Sequence, residues 1–256
     1  NTVKILNSHP GISHNYERNH SFNIWFTIAV APNSNLGLEK SIEILAKKTN
    51  AKNYIILPTL KLFKISVKLD KTNKEEKQEQ LIQKSFTNLD LSEYHYKFIK
   101  LLQQDIEFKS EPFKFIVDQL NISYDELFKI IQEFINSGVM RRFASILNHR
   151  KAGFSANAMV VWDIDEKKSQ DIGEIAASFS AVSHCYLRPQ YPNWKYNLFT
   201  MIHGKTEDDT QKTIEDIANK IEYRDKMALY SSKEFKKVRI IYFSDEFENW
   251  EKENNN

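Results

Sequence analysis

Two short segments carry the same side chains in the same order, Ile12-Ser-His-Asn-Tyr-Glu-Arg18 and Val182-Ser-His-Cys-Tyr-Leu-Arg188. On an extended strand, residues two apart share a face. His14, Tyr16 and Arg18 would then form one row, and His184, Tyr186 and Arg188 another. Histidine titrates near neutral pH and suits proton transfer. A guanidinium fork grips carboxylates through two parallel hydrogen bonds. Such rows combine a group able to transfer protons with one able to bind carboxylates. The blander reading is one hydrogen-bonded structural histidine per strand. Repetition of the whole pattern favours function.

Arginine use points the same way. The chain has 36 Lys plus Arg residues, and only seven are arginine. Five of the seven (Arg18, Arg141, Arg142, Arg150 and Arg188) fall in the repeated segments or in the stretch 138–154. In a lysine-rich chain this placement suggests that the planar fork is needed; ordinary ion pairing is the alternative. His20, His149 and His203 are secondary candidates, and His9 and His95 read as incidental. Cys185 alternates away from the His/Tyr/Arg row, which argues against a nucleophile. No CxxC, HExxH, Walker or GxGxxG motif is present, so nothing points to zinc or a nucleotide.

The elements that would position these residues are themselves repeated. Each motif is followed by an aromatic-Asn segment, Phe22-Asn-Ile-Trp25 or Tyr196-Asn-Leu-Phe199, then a helical run and a last strand containing Phe63-Lys64 or Phe235-Lys236. The second copy has four extra residues within Pro189-Gln-Tyr-Pro-Asn-Trp194. Its order of strand, helix, strand, strand, helix, strand is that of a ferredoxin-like βαββαβ unit, with a final strand expected over Lys237–Phe243. The first copy reads as its second half only, over residues 1–70. The chain opens on Asn1 with what reads as a helix end, so further sequence upstream is expected. Residues 71–90 read as a polar linker. Residues 91–150 read as a winged helix-turn-helix, with helix starts at Ser92-Glu93 and Glu111-Pro112, a capping box at Ser123 and Glu126, and a stop at Gly138. Residues 151–245 hold the complete ferredoxin-like unit. The polar tail 246–256 reads as disordered.

The 256 residues have a net charge of +2 and 41% hydrophobic content, with one cysteine. These values fit an ordinary globular protein without an internal disulfide, and a reducing, cytoplasmic location is expected. No run approaches the length of a membrane span.

The segments Gly138-Val-Met-Arg-Arg-Phe-Ala-Ser-Ile-Leu-Asn-His-Arg-Lys-Ala-Gly-Phe154, Ser183-His-Cys-Tyr-Leu-Arg-Pro189 and Tyr196-Asn-Leu-Phe-Thr-Met-Ile-His-Gly204 resemble those of the siroheme decarboxylase family, an enzymatic branch of the Lrp/AsnC superfamily. The resemblance implies an α+β fold with a duplicated Lrp/AsnC-like architecture. Winged helix-turn-helix and ferredoxin-like βαββαβ domains are expected, with the first copy truncated at its N-terminus. It implies loss of carbon dioxide from two ring acetates of siroheme, for haem or d-type haem synthesis. His14 and His184 would be acid catalysts or axial contacts to iron. Arg18, Arg141, Arg142, Arg150, Arg188 and His149 would hold carboxylates. Tyr16, Tyr186, Trp25 and His203 would complete the substrate wall, with Phe199 as wall or core. No cofactor beyond the substrate's own iron is expected. Related subunits or copies of the chain are the expected partners, with no membrane. Two sheets facing each other across a cleft would bring the rows together.

The main rival is a DNA-binding regulator of the Lrp/AsnC type. Its recognition helix would carry Asp125, Glu126 and Glu133 against Lys129, a poor charge for a phosphate backbone. A tetrapyrrole carrier without chemistry is the second rival.

Overall fold

The computed structural model describes residues 1–31, 34–65, 89–140 and 156–255. Its first half contains α1 (Thr2–Ser8), β1 (Ile12–Arg18), β2 (Ile24–Ile28), α2 (Gly37–Thr49) and β3 (Lys61–Ile65). A helical unit follows, with α3 (Glu93–Leu102), α4 (Lys114–Leu120) and α5 (Tyr124–Ser137). The second half is β4 (Ala156–Asp163), α6 (Ser169–Ser178), β5 (Val182–Leu187), β6 (Leu198–Gly204), α7 (Glu207–Ala218) and β7 (Asp225–Lys237), closed by α8 (Asp245–Asn254). The fold is α+β, and β4 to β7 form the expected ferredoxin-like βαββαβ unit.

Where two facing sheets were expected, the described strands form one antiparallel sheet in the order β2-β1-β7-β4-β6-β5-β3. The halves join edge to edge by exchanging their last strands. Asp225–Tyr230 of β7 pairs with β4, and the rest of β7 continues onto β1. Reciprocally, β3 pairs with β5. Phe63 of β3 is only 4% exposed and sits in the core of the second half, with Trp162, Ile172 and Ala176. That core fills because alternate strand residues (Ala158, Val160 and Trp162 on β4, Cys185 and Leu187 on β5) turn toward α6 and α7.

The helical unit has its own core of Phe98, Ile116, Leu127 and Phe134. Ser123 and Glu126 cap α5 reciprocally, and Gly138 ends it at φ 75°. Helix α4 begins at Lys114, so Pro112 lies just ahead of it. The β-prone stretch expected to form a wing lies almost wholly outside the described residues.

Two expectations are corrected. The last strand is Asp225–Lys237, and Lys237–Phe243 does not extend it. Beyond Lys237 the chain turns onto α3 instead. Tyr242 exchanges hydrogen bonds with Gln103 at 2.8 and 2.9 Å, and Phe243 packs 4.5 Å from Tyr96. These contacts outweigh the β propensity of the segment. The tail is helical, because Trp250 of α8 plugs the core formed by Leu6, Ile12 and Leu45.

That plug rests on His9, whose ring lies 4.2 Å from Trp250. His9 Nδ1 accepts the Gly11 N–H at 3.0 Å, so the folded form holds it unprotonated. Burial, reinforced by Lys236 and opposed by Glu251, lowers its pKa from 6.5 to about 4. The unfolded chain therefore binds the proton first as pH falls. Stability present above pH 6.5 is lost toward pH 4, by about 3 kcal/mol from this residue. Thermal melts across that range should slope steeply, and His9→Asn should flatten the slope. Equal slopes in both proteins would refute the assignment.

Candidate active site

The His/Tyr/Arg rows lie on the sheet face turned away from the helices. Cys185 and Leu187 point into the helix-covered core, so His184 and Tyr186 point to the other face. The same alternation places His14 and Tyr16 opposite Thr27 and Trp25 of β2. An apolar cluster on this face joins the halves, with Trp25 and Leu57 from the first and Val161, Tyr186, Trp194, Phe199 and Leu229 from the second.

The two rows match in detail. His14 and Tyr16 ring centroids are 6.2 Å apart, and those of His184 and Tyr186 are 6.0 Å apart. The Arg18 guanidinium lies 5.6 Å from the Tyr16 ring, and that of Arg188 lies 5.1 Å from Tyr186. Each arginine reaches into the other half. Arg18 Nη1 donates to the Leu229 carbonyl at 2.7 Å, and Arg188 Nη1 donates to the Leu57 carbonyl. Leu57 and Leu229 are equivalent in the repeat, each standing six residues before Phe63 or Phe235.

Strand geometry alone would turn Ser13 away from His14. A β-bulge in each motif prevents this. The register slips between Ile12 and His14 and again between Val182 and His184. Bulges of this kind re-aim side chains, and here they set the serine beside the histidine. Ser13 Oγ lies 2.9 Å from His14 Nδ1, and Ser183 Oγ lies 2.7 Å from His184 Nδ1. The outer hydroxyl contacts differ: Ser13 meets Thr27 Oγ1 at 2.9 Å, whereas Ser183 meets His203 Nε2 at 2.6 Å.

Arg18 is only 6% exposed. Burial lowers its pKa to about 10, so it remains a cation at neutral pH. Its Nε is buried without a hydrogen-bond partner, and among the described residues neither Arg18 nor Arg188 has a carboxylate partner. A desolvated cation left in this state is costly, and a bound carboxylate would relieve the cost. Burial also lowers the His14 pKa, with Lys237 adding to the effect and Glu234 opposing it. Burial raises the Tyr186 pKa, so its phenol keeps its proton. The Cys185 thiol is pushed up to about 12 and turned to the opposite core, as expected for an inert residue.

His14, Tyr16, Arg18, Trp25, His184, Tyr186, Arg188 and His203 thus share one face. Phe199 serves as both wall and core, packing 5.4 Å from the Arg188 guanidinium. Arg141, Arg142, His149 and Arg150 lie outside the described residues. Sequence reasoning missed Ser13, Ser183 and Trp194. Trp194 is buried among Trp25, Tyr196, Phe199 and Phe22, with ring centroids 5.2 to 6.2 Å away. Its signal was available, because it lies in the stretch that breaks the repeat. Among the described residues, no cluster of three or more His, Cys, Asp or Glu side chains could hold a metal ion.

A ferredoxin-like sheet paired through exchanged strands, beside a helical unit, defines an AsnC-like protein. The model of the AsnC-like ligand-binding domain matches residues 1–64 and 151–236. Nearer relatives narrow the class. The chain is 40% identical over 251 residues to a siroheme decarboxylase of Hydrogenobacter thermophilus, covering 98% of this chain and 75% of that protein. It is 40% identical over 144 residues to a siroheme decarboxylase beta subunit of Methanosarcina barkeri, covering 56% of this chain and 95% of that one. The crystal structure of the siroheme decarboxylase NirDL superposes with a TM-score of 0.76 at 33% identity, over 99% of this chain and 73% of that one. NirDL has also been solved in complex with an iron-uroporphyrin III analogue, and that structure matches with a TM-score of 0.75. The chain belongs to the siroheme decarboxylase family.

Proposed function

We propose that the chain is a carboxy-lyase that removes carbon dioxide from two ring acetates of siroheme to give didecarboxysiroheme. One observation carries the chemical reading: two matched His/Tyr/Arg rows share a face, and their desolvated arginines lack carboxylate partners among the described residues. Arg18 and Arg188 pin the carboxylates of the macrocycle. Trp25, Phe199 and Tyr186 cover its flat apolar surface, and Tyr16 lies against the rim. Arg141, Arg142, His149 and Arg150 are assigned to the spectator carboxylates from their sequence context.

In each step the bond between the acetate methylene and its carboxylate breaks. Carbon dioxide leaves, and the electron pair stays on the methylene carbon, delocalised into the pyrrole. That carbon takes one proton and becomes a methyl group. His14 and His184 supply the protons, one for each arm. The only metal this reading requires is the iron of the substrate. Relatives named as subunits support assembly with related chains. No helix among the described residues is long and apolar enough to cross a membrane, and a cytoplasmic location is part of the proposal. The regulator reading is not favoured, since α5 carries three acidic residues against Lys129.

The test is anaerobic incubation with siroheme followed by mass spectrometry. Two successive losses of carbon dioxide are expected. Tight binding with an unchanged mass would instead establish a carrier.

A further inference from the structure

The two histidines are not served alike. His184 Nδ1 meets Ser183 Oγ at 2.7 Å, Ser183 Oγ meets His203 Nε2 at 2.6 Å, and His203 Nδ1 meets Asn157 Oδ1 at 2.5 Å. The chain on the first half runs from His14 through Ser13 to the Thr27 hydroxyl. The repeat makes the difference plain. Trp25 and Phe199 occupy matched positions, each opposite the tyrosine of its row. Four residues further on, the first copy has Ala29 and the second has His203. The second imidazole is therefore an addition to one row.

We propose that His203 is a positioning residue that loads His184 with its proton through Ser183, and that the decarboxylation served by His184 depends on it. The inference rests on the decarboxylase reading above.

The hydrogen-bond chemistry fixes the direction. An amide oxygen only accepts, so His203 Nδ1 carries hydrogen toward Asn157. With one extra proton on the pair, His203 Nε2–H donates to Ser183, and the Ser183 hydroxyl donates to His184 Nδ1. His184 then bears its own hydrogen on Nε2. Transfer of that hydrogen to the substrate methylene carbon would otherwise leave an imidazolate. Instead, the serine proton moves to His184 Nδ1 and the His203 Nε2 proton moves to Ser183. One proton leaves the chain, and both imidazoles end neutral. On the same strand Tyr186 lies 6.0 Å from the His184 ring, and Cys185 is turned into the opposite core. On the flanking strands, Met201 and Ile65 stand opposite His184 and cannot substitute as proton donors.

The test uses the full chain with His203→Ala and His203→Gln. Glutamine can hydrogen-bond to Ser183 but cannot carry a proton. Siroheme binding is followed by absorbance, and the two products are separated by mass spectrometry. The expected result is an affinity within about twofold of the parent and roughly 10²-fold slower turnover of one acetate. Singly decarboxylated product should accumulate in both variants, and free imidazole should restore the second loss in His203→Ala. Normal rates in His203→Gln would overturn the proposal, reducing His203 to a structural hydrogen-bond partner. A large loss of affinity in His203→Gln would also overturn it, making His203 a binding residue. Absence of turnover in the parent protein would overturn the decarboxylase reading and this inference together.

Discussion

Replacing His14 or His184 by alanine is expected to leave siroheme bound and to slow one decarboxylation by about 10²- to 10⁴-fold, the usual worth of a positioned proton donor. Each variant should stop mainly at a product lighter by one carbon dioxide, and the double variant should bind without turnover. The expectation follows from the separation of roles along each row. The arginine at one end is assigned to a carboxylate, whereas the histidine two strand steps away is held by a serine beside it. Removing the imidazole leaves Arg18 bonded to Leu229 and Arg188 bonded to Leu57, so the binding frame persists. If both single variants complete both steps at the parent rate, the histidines are not the donors.

Phe63→Ala is expected to cost about 3–5 kcal/mol of stability, the range for emptying a buried phenylalanine site. Phe63 comes from the first half but fills the core of the second, against Ile172, Ala176 and Cys185. A Cβ built on Gly173 would lie 2.3 Å from Phe63 Cζ, so the ring occupies the space that a larger residue on α6 would need. Truncation opens a void that the helix cannot easily close, since its backbone is held by other core contacts. Leu62, on the other face of the same strand and 39% exposed, should cost under about 1 kcal/mol when replaced by alanine. Denaturant midpoints at unchanged slope would measure both. Equal small losses would show that β3 is dispensable.

The repeated rows were legible in the sequence because strand geometry has a period of two and the pattern occurs twice. That the members of each row share a face followed from the same alternation, whereas the placing of both rows on one face of a single sheet did not. The serines were not legible. Ser13 and Ser183 alternate away from the rows on paper, and only the bulges bring them beside the imidazoles. Trp194 was marked by lying in the stretch that breaks the repeat, but an insertion does not say which of its side chains will be buried. The helix over Asp245–Asn254 escaped notice because its composition is polar and its stability depends on one tryptophan. The strand exchange was also out of reach. Local propensity places β3 and β7 as strands, but does not say which edge each will choose.

That exchange has a consequence for how such a protein is built as one polypeptide. A lone copy would present the bare amide edge of β1 or of β5, a template on which other copies could stack. Here each edge is sealed by the opposite copy, and covalent continuity holds the sealing strand at an effective concentration on the order of millimolar. Fusion thus fixes a one-to-one ratio and guards against self-association during synthesis, before any tetrapyrrole has bound.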